Sequence, residues 1–430
     1  MLAWPIILSN VTTPLLGLVD TAVVGRLPGP HYIGAVAIGA ASFSLIFWLF
    51  GFLRMGTSGF TAQAFGAGDT QERLAILMRA TLLAAALGLV LILLQGPLWW
   101  VATSILEPTE AAAPLAAQYF DIRIWTAPAA LTNYAVLGWL IGMQKTRLAL
   151  YLQLWLNGVN IVLDLVFVSV LEMGVPGVAW ATFVGEWSAA LLGLLLAFRL
   201  LRPDGIDLRA ARILDPAKLR AFFSANLDIM IRTLCLTLSF AWFTRLGGQF
   251  GDLTFAANAV LMQLVHMMAY GLDGFAFAAE ALVGAAIGAR DRAALRLAVV
   301  TSTILAAIIS VLIGVAYWLF GAQIIALITT QAPVQNEAAI YLVWVATYPL
   351  IAVWCFQLDG IFIGATRTAE MRNGMLAAMV AFMVAAHILP DMLGNHGLWL
   401  SLVVLNVCRS GSLLVYYRRI EKLAAPLTQP

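Results

Sequence analysis

Two stretches decide the fold: AQAFGAGDTQERL, Ala62–Leu74, and VGAAIGARDRAAL, Val283–Leu295. Each closes an apolar run with a turn of small residues, G-A-G-D at Gly66–Asp69 and G-A-R-D at Gly288–Asp291. The loop before each run also matches, Arg26-Leu27 in the first half and Arg245-Leu246 in the second. The chain reads as one plan written twice.

Working outward, the 430 residues are 62% hydrophobic and only 11% charged, with a mean hydropathy of +0.92. A soluble domain carries roughly a quarter charged residues. Apolar runs near the ~20 residues that a helix needs to cross a bilayer recur along the whole length. The ten-residue alternating segments of an outer-membrane barrel are absent. The sequence therefore specifies an all-α polytopic membrane protein. Polar and Gly/Pro breaks divide it into twelve spans, near 3–25, 33–64, 74–101, 113–142, 148–171, 177–201, 218–246, 254–284, 293–319, 335–364, 371–390 and 395–417. The longest polar connection, RPDGIDLRAARILDPAKLR (Arg202–Arg220), falls between spans six and seven. It predicts two pseudo-symmetric six-helix lobes: residues 1–201, a cytoplasmic linker at 202–217, and residues 218–430.

Basic residues fix the expected orientation. Of the 24 lysines and arginines, eighteen fall in loops after even-numbered spans and two, Arg26 and Arg245, after odd-numbered ones. The other four, Arg54, Arg123, Arg232 and Arg409, lie inside helices. By the positive-inside rule both termini are expected in the cytoplasm. Spans one and seven then start from the same side, so the repeat is parallel. Two parallel lobes facing each other are a transporter architecture, with the substrate site between them. Met1 runs almost directly into LAWPIILSN with no basic segment before it, so the first helix is expected to serve as its own insertion signal. The net charge of +2 suggests no nucleic-acid partner. Cys235, Cys355 and Cys408 lie far apart in apolar helices and read as buried thiols.

Polar residues inside the spans carry the functional signal. Asp20 sits in GLVDTAVVGRL, near the outer end of span one. In LNGVNIVLDLVFV (Leu156–Val168), Gln153, Asn157, Asn160 and Asp164 fall within about 60° of one another at 100° per residue. Amides alone serve as glue between membrane helices. An ionisable Asp164 one turn beyond Asn160 points further, because amides can bond either state of a carboxyl. Asp20 and Asp164 lie at matching depth, which suggests one shared proton or cation site. Proline frees a backbone carbonyl and permits a bend, so Pro5 and Pro14 allow the helix of Asp20 to move. In the second half, Gln263, His266, Tyr270, Asp273 and Glu280 share about a 100° face of span eight, and Asp359 lies in span ten. Their acidity suits a cavity for cationic amphipathic molecules.

No HExxH, GxSxG, Walker or metal-cluster pattern is present. The residues instead resemble the multidrug and toxic compound extrusion (MATE) transporters, in the DinF-like branch, over essentially the whole chain. The carriers are PLLGLVDTAVVGRL (Pro14–Leu27), GTSGFTAQAFGAGD (Gly56–Asp69), LNGVNIVLDLVFV, GVPGVAWAT (Gly174–Thr182), LDGFAFAAEALVGAAIGA (Leu272–Ala289) and LDGIFIGATRTAEMRN (Leu358–Asn373). One departure is Ala285, where many relatives carry glutamine. The resemblance implies twelve helices in two lobes and export of organic cations against protons or sodium. It implies no cofactor and no catalytic residue. It assigns proton relay to Asp20, Asn160, Asp164 and Thr182, with Asn157 on the same stripe, and bending to Pro5. It places Asp273, Glu280 and Asp359 in a second-lobe acidic site. The expected setting is the bacterial inner membrane and the expected form a monomer. Two other transport readings stand beside proton antiport: a sodium-coupled exporter, and a flippase for lipid-linked precursors. The flippases tend to have fourteen spans and a basic cavity, against twelve and carboxylates here. A membrane enzyme or sensor would need a catalytic constellation, and the sequence offers none.

Overall fold

A computed structural model describes residues 2–25, 27–202 and 211–425. Arg26, residues 203–210 of the linker and the side chain of Pro14 lie outside the described set. Fifteen α-helices follow in order: α1 (Ala3–Val24), α2 (Pro30–Leu49), α3 (Phe52–Gly66), α4 (Thr70–Leu93), α5 (Gln95–Leu106), α6 (Ala113–Arg123), α7 (Ala127–Gly142), α8 (Thr146–Asp164), α9 (Val175–Leu201), α10 (Pro216–Gly247), α11 (Asp252–Gly288), α12 (Arg292–Ile328), α13 (Ala332–Gly364), α14 (Thr368–Leu393) and α15 (Asn395–Leu423). In lipid every backbone N–H and C=O must be satisfied within the segment, so helix is the form these apolar runs take. Among the described residues eleven stretches are long and apolar enough to cross a membrane. α1, at 22 residues, is long enough to make the twelfth.

The spans differ from the sequence reading in their joints. Span two is α2 and α3, interrupted at Phe50–Gly51, and span four is α6 and α7 joined by a 3-10 turn at Ile124–Thr126. Span three ends at Leu93, and α5 follows as a separate short helix. After Asp164 the chain continues as a π-helix, Leu165–Val170.

The chain forms two compact units, Met1–Ala221 and Phe222–Pro430. They share landmarks at a constant spacing. Asp69 caps α4 by accepting from Glu72 N at 2.9 Å, and Asp291 caps α12 by accepting from Ala294 N at 2.9 Å. In unit 1, a Cβ on Gly138 would meet Arg54 O at 2.3 Å, and one on Gly142 would meet Ser58 O at 2.6 Å. In unit 2, a Cβ on Gly360 would meet Ala276 O at 2.2 Å, and one on Gly364 would meet Glu280 O at 2.4 Å. Glycine thus lets α7 lie on α3, and α13 on α11, backbone to backbone. From 69 to 291, 138 to 360 and 142 to 364, each step is 222 residues. The positive-φ residues obey the same step, Gly68 with Arg290 and Gln144 with Thr366.

Unit 1 also secures the downstream end of the linker. Arg79 of α4 is buried, donates to Ile213 O at 2.8 Å and to Arg212 O at 3.0 Å, and pairs with Glu72 at 2.8 Å. Asp215 caps α10, accepting from Ala217 N at 3.0 Å and Lys218 N at 3.2 Å. These amides, that of Lys218 foremost, hold its carboxyl below the usual carboxylate range.

Candidate functional site

In unit 1, α8 packs against α1 and α9, and this brings four of the sequence-predicted residues together. Asp20, Asn160, Asp164 and Thr182 are all buried. The Asp20 and Asp164 carboxyls lie within hydrogen-bonding reach of each other. Such contact is favourable only with a proton between them, because two carboxylates repel. Among the described residues neither makes a salt bridge, and one oxygen of each, Oδ1, has no hydrogen-bond partner.

The Asn160 amide bridges Asp164 to α9. Its oxygen accepts from Thr182 N at 3.1 Å and from Thr182 Oγ1 at 3.0 Å, and its Nδ2 donates to Asp164 Oδ2 at 2.7 Å. A carboxyl oxygen accepts whether the acid is ionised or neutral, so this bond can persist when Asp164 carries a proton on its other oxygen. Asn157 is buried but outside this group; it accepts from Gln153 Nε2 at 3.1 Å. Pro5 falls in the first turn of α1, where a proline disturbs the helix least, and α1 continues unbroken to Val24.

The predicted second-lobe residues are not gathered into one cluster. Gln263 and His266 are exposed, with His266 edge-on to Phe240 at 6.5 Å. Tyr270 and Asp273 are half-buried, and Glu280 is fully buried where α11 meets Gly364. Asp359 is buried between two arginines, Arg232 of α10 and Arg409 of α15, both bonded to its Oδ2. Its charge is already matched twice over, so it adds no free acidity to a cavity. Among the described residues no group of three or more His, Cys, Asp or Glu is placed to hold a metal.

The MatE family model matches the chain twice, over residues 5–166 and 229–390. The chain belongs to the MatE family. The two matches cover one stretch of each unit, so the repeat seen in the glycine contacts is the family's own. Among curated proteins, DNA damage-inducible protein F of Escherichia coli is 44% identical over 97% of this chain and 91% of its own length. A probable multidrug resistance protein NorM from Caulobacter vibrioides is 25% identical over 98% of this chain and 90% of its length. A crystal structure of MATE in the bent conformation superposes with a TM-score of 0.87 at 22% identity, covering 98% of this chain and 94% of that one. MatE proteins are transporters rather than enzymes and need no prosthetic group. This one is a multi-pass, all-helical member that handles small organic molecules.

Sequence reasoning passed over several polar groups inside the helices of this MatE chain. Glu186 of α9 accepts from Asn133 Nδ2 at 2.7 Å. Its signal was available: it stands one turn beyond Thr182. Arg123 bonds Tyr119 Oη and lies over the Phe43 ring at 5.2 Å. Asp228 of α10 pairs with Arg372 at 2.6 Å and accepts from Thr368 Oγ1 at 3.0 Å. No spacing rule links residues so far apart in sequence.

Proposed function

We propose that this protein exports cationic amphipathic organic compounds across the bacterial inner membrane, exchanging them for protons taken up at Asp20 and Asp164. The observation that carries this reading is the carboxyl pair with the Asn160 amide donating to Asp164. Two buried acids share a proton, and Asn160, backed by Thr182, can bond Asp164 in either charge state. A carboxyl held by neutral partners loses its burial penalty when protonated. Protonation thus favours a closed, dry arrangement of α1, and deprotonation an open, hydrated one. Pro5 is the hinge of this movement, which requires a break near the start of α1 in one of its two states. Both termini and the linker lie on the cytoplasmic side, and the monomer is the working form.

The drug assignment draws on the designation of the Caulobacter relative as a probable multidrug resistance protein. Asp273 supplies acidity for a cationic substrate, with Gln263, His266 and Tyr270 along the same face, and Glu280 lies further along it in the core. Asp359 serves in unit 2 as the partner of two arginines. Sodium remains the alternative coupling ion, and one experiment separates the two. In proteoliposomes, Asp20→Asn and Asp164→Asn should each abolish drug uptake driven by a pH gradient, with no rescue by a sodium gradient. The double variant should be no worse than either single, because one site is lost in each case. Near-normal pH-driven transport by Asp164→Asn would overturn the reading. Transport driven by sodium alone would replace the proton with sodium.

A further inference from the structure

We propose that Glu186, held by Asn133, is a second proton-carrying residue of unit 1, so that exchange moves more protons than the Asp20–Asp164 pair alone supplies. This rests on the proton-antiport reading above. Glu186 lies inside α9, a 27-residue membrane helix, one turn from Thr182 and on the same face. Asn133 of α7 grips it twice, with Nδ2 donating to Glu186 Oε2 at 2.7 Å and to Glu186 O at 3.0 Å. The double grip fixes the amide and points its donor at Oε2. That bond forms whether the acid is ionised or protonated, because either oxygen of either state accepts. Oε1 is left to gain and lose the proton, and the side chain is only half-buried, so that oxygen is not sealed in the core.

The charged neighbours support the same conclusion. From α6, Arg123 bears on both Glu186 and Asp20. Among the described residues it makes no salt bridge; its N–H bonds Tyr119 and its plane lies over Phe43. From α7, Tyr134 feels the charges of both Glu186 and Arg54. From α8, Asp164 stands beyond Thr182. Three carboxyls thus share one region with Arg123, whose charge offsets one of them. Burial penalises the uncompensated remainder, so the region approaches neutrality by taking up protons at more than one acid. Each of the two outlying acids, Asp164 and Glu186, has an asparagine nitrogen position 2.7 Å away. In the step itself, the Glu186 carboxylate gains one proton from water at Oε1, and returns it to water when substrate binds.

The test is substrate-induced proton release from purified protein, measured across pH in weakly buffered detergent solution. Glu186→Gln keeps the Asn133 bond and should fold. It should release about half as many protons per substrate as the unaltered protein, and one step of its pH profile should disappear. Unchanged release and an unchanged profile would overturn the proposal. Glu186→Asp keeps an acid but withdraws it from Asn133; full release with a shifted midpoint is expected, and an unshifted midpoint would also count against Glu186. Asp164→Asn separates the two ideas. If it transports normally on a pH gradient, the antiport reading itself has failed. If it is inactive while Glu186→Gln matches the unaltered protein, only the second site has failed.

Discussion

Unit 1 and unit 2 share a backbone plan and differ in what they do with a buried carboxyl. In unit 1, Asp164 meets another carboxyl and an amide, all able to adapt to gain or loss of a proton. In unit 2, Asp359 meets two permanent cations, Arg232 and Arg409. The position 222 residues before Asp359 is Leu137, so the clamp has no counterpart in unit 1. Neutral partners leave a charge free to change, and guanidinium partners fix it. The same helical frame therefore holds a carboxyl among neutral partners and a carboxyl that ties α10, α13 and α15 together.

Three measurements would break or sharpen this contrast, the largest effect first. Asp359→Asn removes one member of a buried cluster and leaves two guanidinium groups uncompensated, a change that typically costs about 3–5 kcal/mol. Thermal unfolding in detergent should show a marked loss for Asp359→Asn and little change for Asp164→Asn. Equal losses would mean that the unit 1 acid is structural too. Replacing Arg232 by Met in the Asp359→Asn background should recover part of the loss.

The glycine contacts come next and should behave alike in both units. Gly142→Ala and Gly364→Ala each drive a methyl into a backbone oxygen, at 2.6 and 2.4 Å. Overpacking of this kind costs about 1–3 kcal/mol. Similar drops in melting temperature are expected, and a large difference between them would show that the two frames are not mechanically equivalent. The smallest effect belongs to the caps. Asp69→Ala and Asp291→Ala each remove one N-cap acceptor, worth about 1 kcal/mol. Faster amide exchange confined to the first turns of α4 and α12 is the expected result; no change in either would remove the caps from the shared plan.

Hydropathy made most of the fold legible, because a span must be long and apolar whatever its neighbours do. The breaks within spans two and four were hidden, since Phe50–Gly51 and Ile124–Thr126 interrupt the helix without interrupting the apolar run. The unit 1 group was legible because Asn160 and Asp164 share one helix face. Glu186 was equally readable from its spacing to Thr182, but its partner Asn133 lies 53 residues away. Asp359 misled for the same reason: its carboxyl is plain in the sequence, whereas Arg232 and Arg409 stand 127 and 50 residues distant. Helical periodicity also grouped Gln263 and His266 with Glu280, although α11 runs from exposed surface into the core along that face.

The π-helix after Asp164 bears on how the two halves diverged. The 222-residue step holds from Asp69 and Asp291 through Gln144 and Thr366, as expected of a duplicated gene with no net insertion there. It fails immediately afterwards. Gly174 and Gly394 cap the last helix of each half with nearly the same backbone angles, φ 62° and ψ −137° against φ 59° and ψ −140°. Yet they stand 30 residues past Gln144 and 28 past Thr366. The first half thus carries two residues more, in the segment that holds Leu165–Val170. The helix of the first half stops at Val170 and residues 171–173 follow before Gly174, whereas α14 runs straight to Leu393 beside Gly394, so the added residues lengthen the connection. The two halves thus lose step just beyond the helix that carries Asp164, on the connection into the last helix of each half.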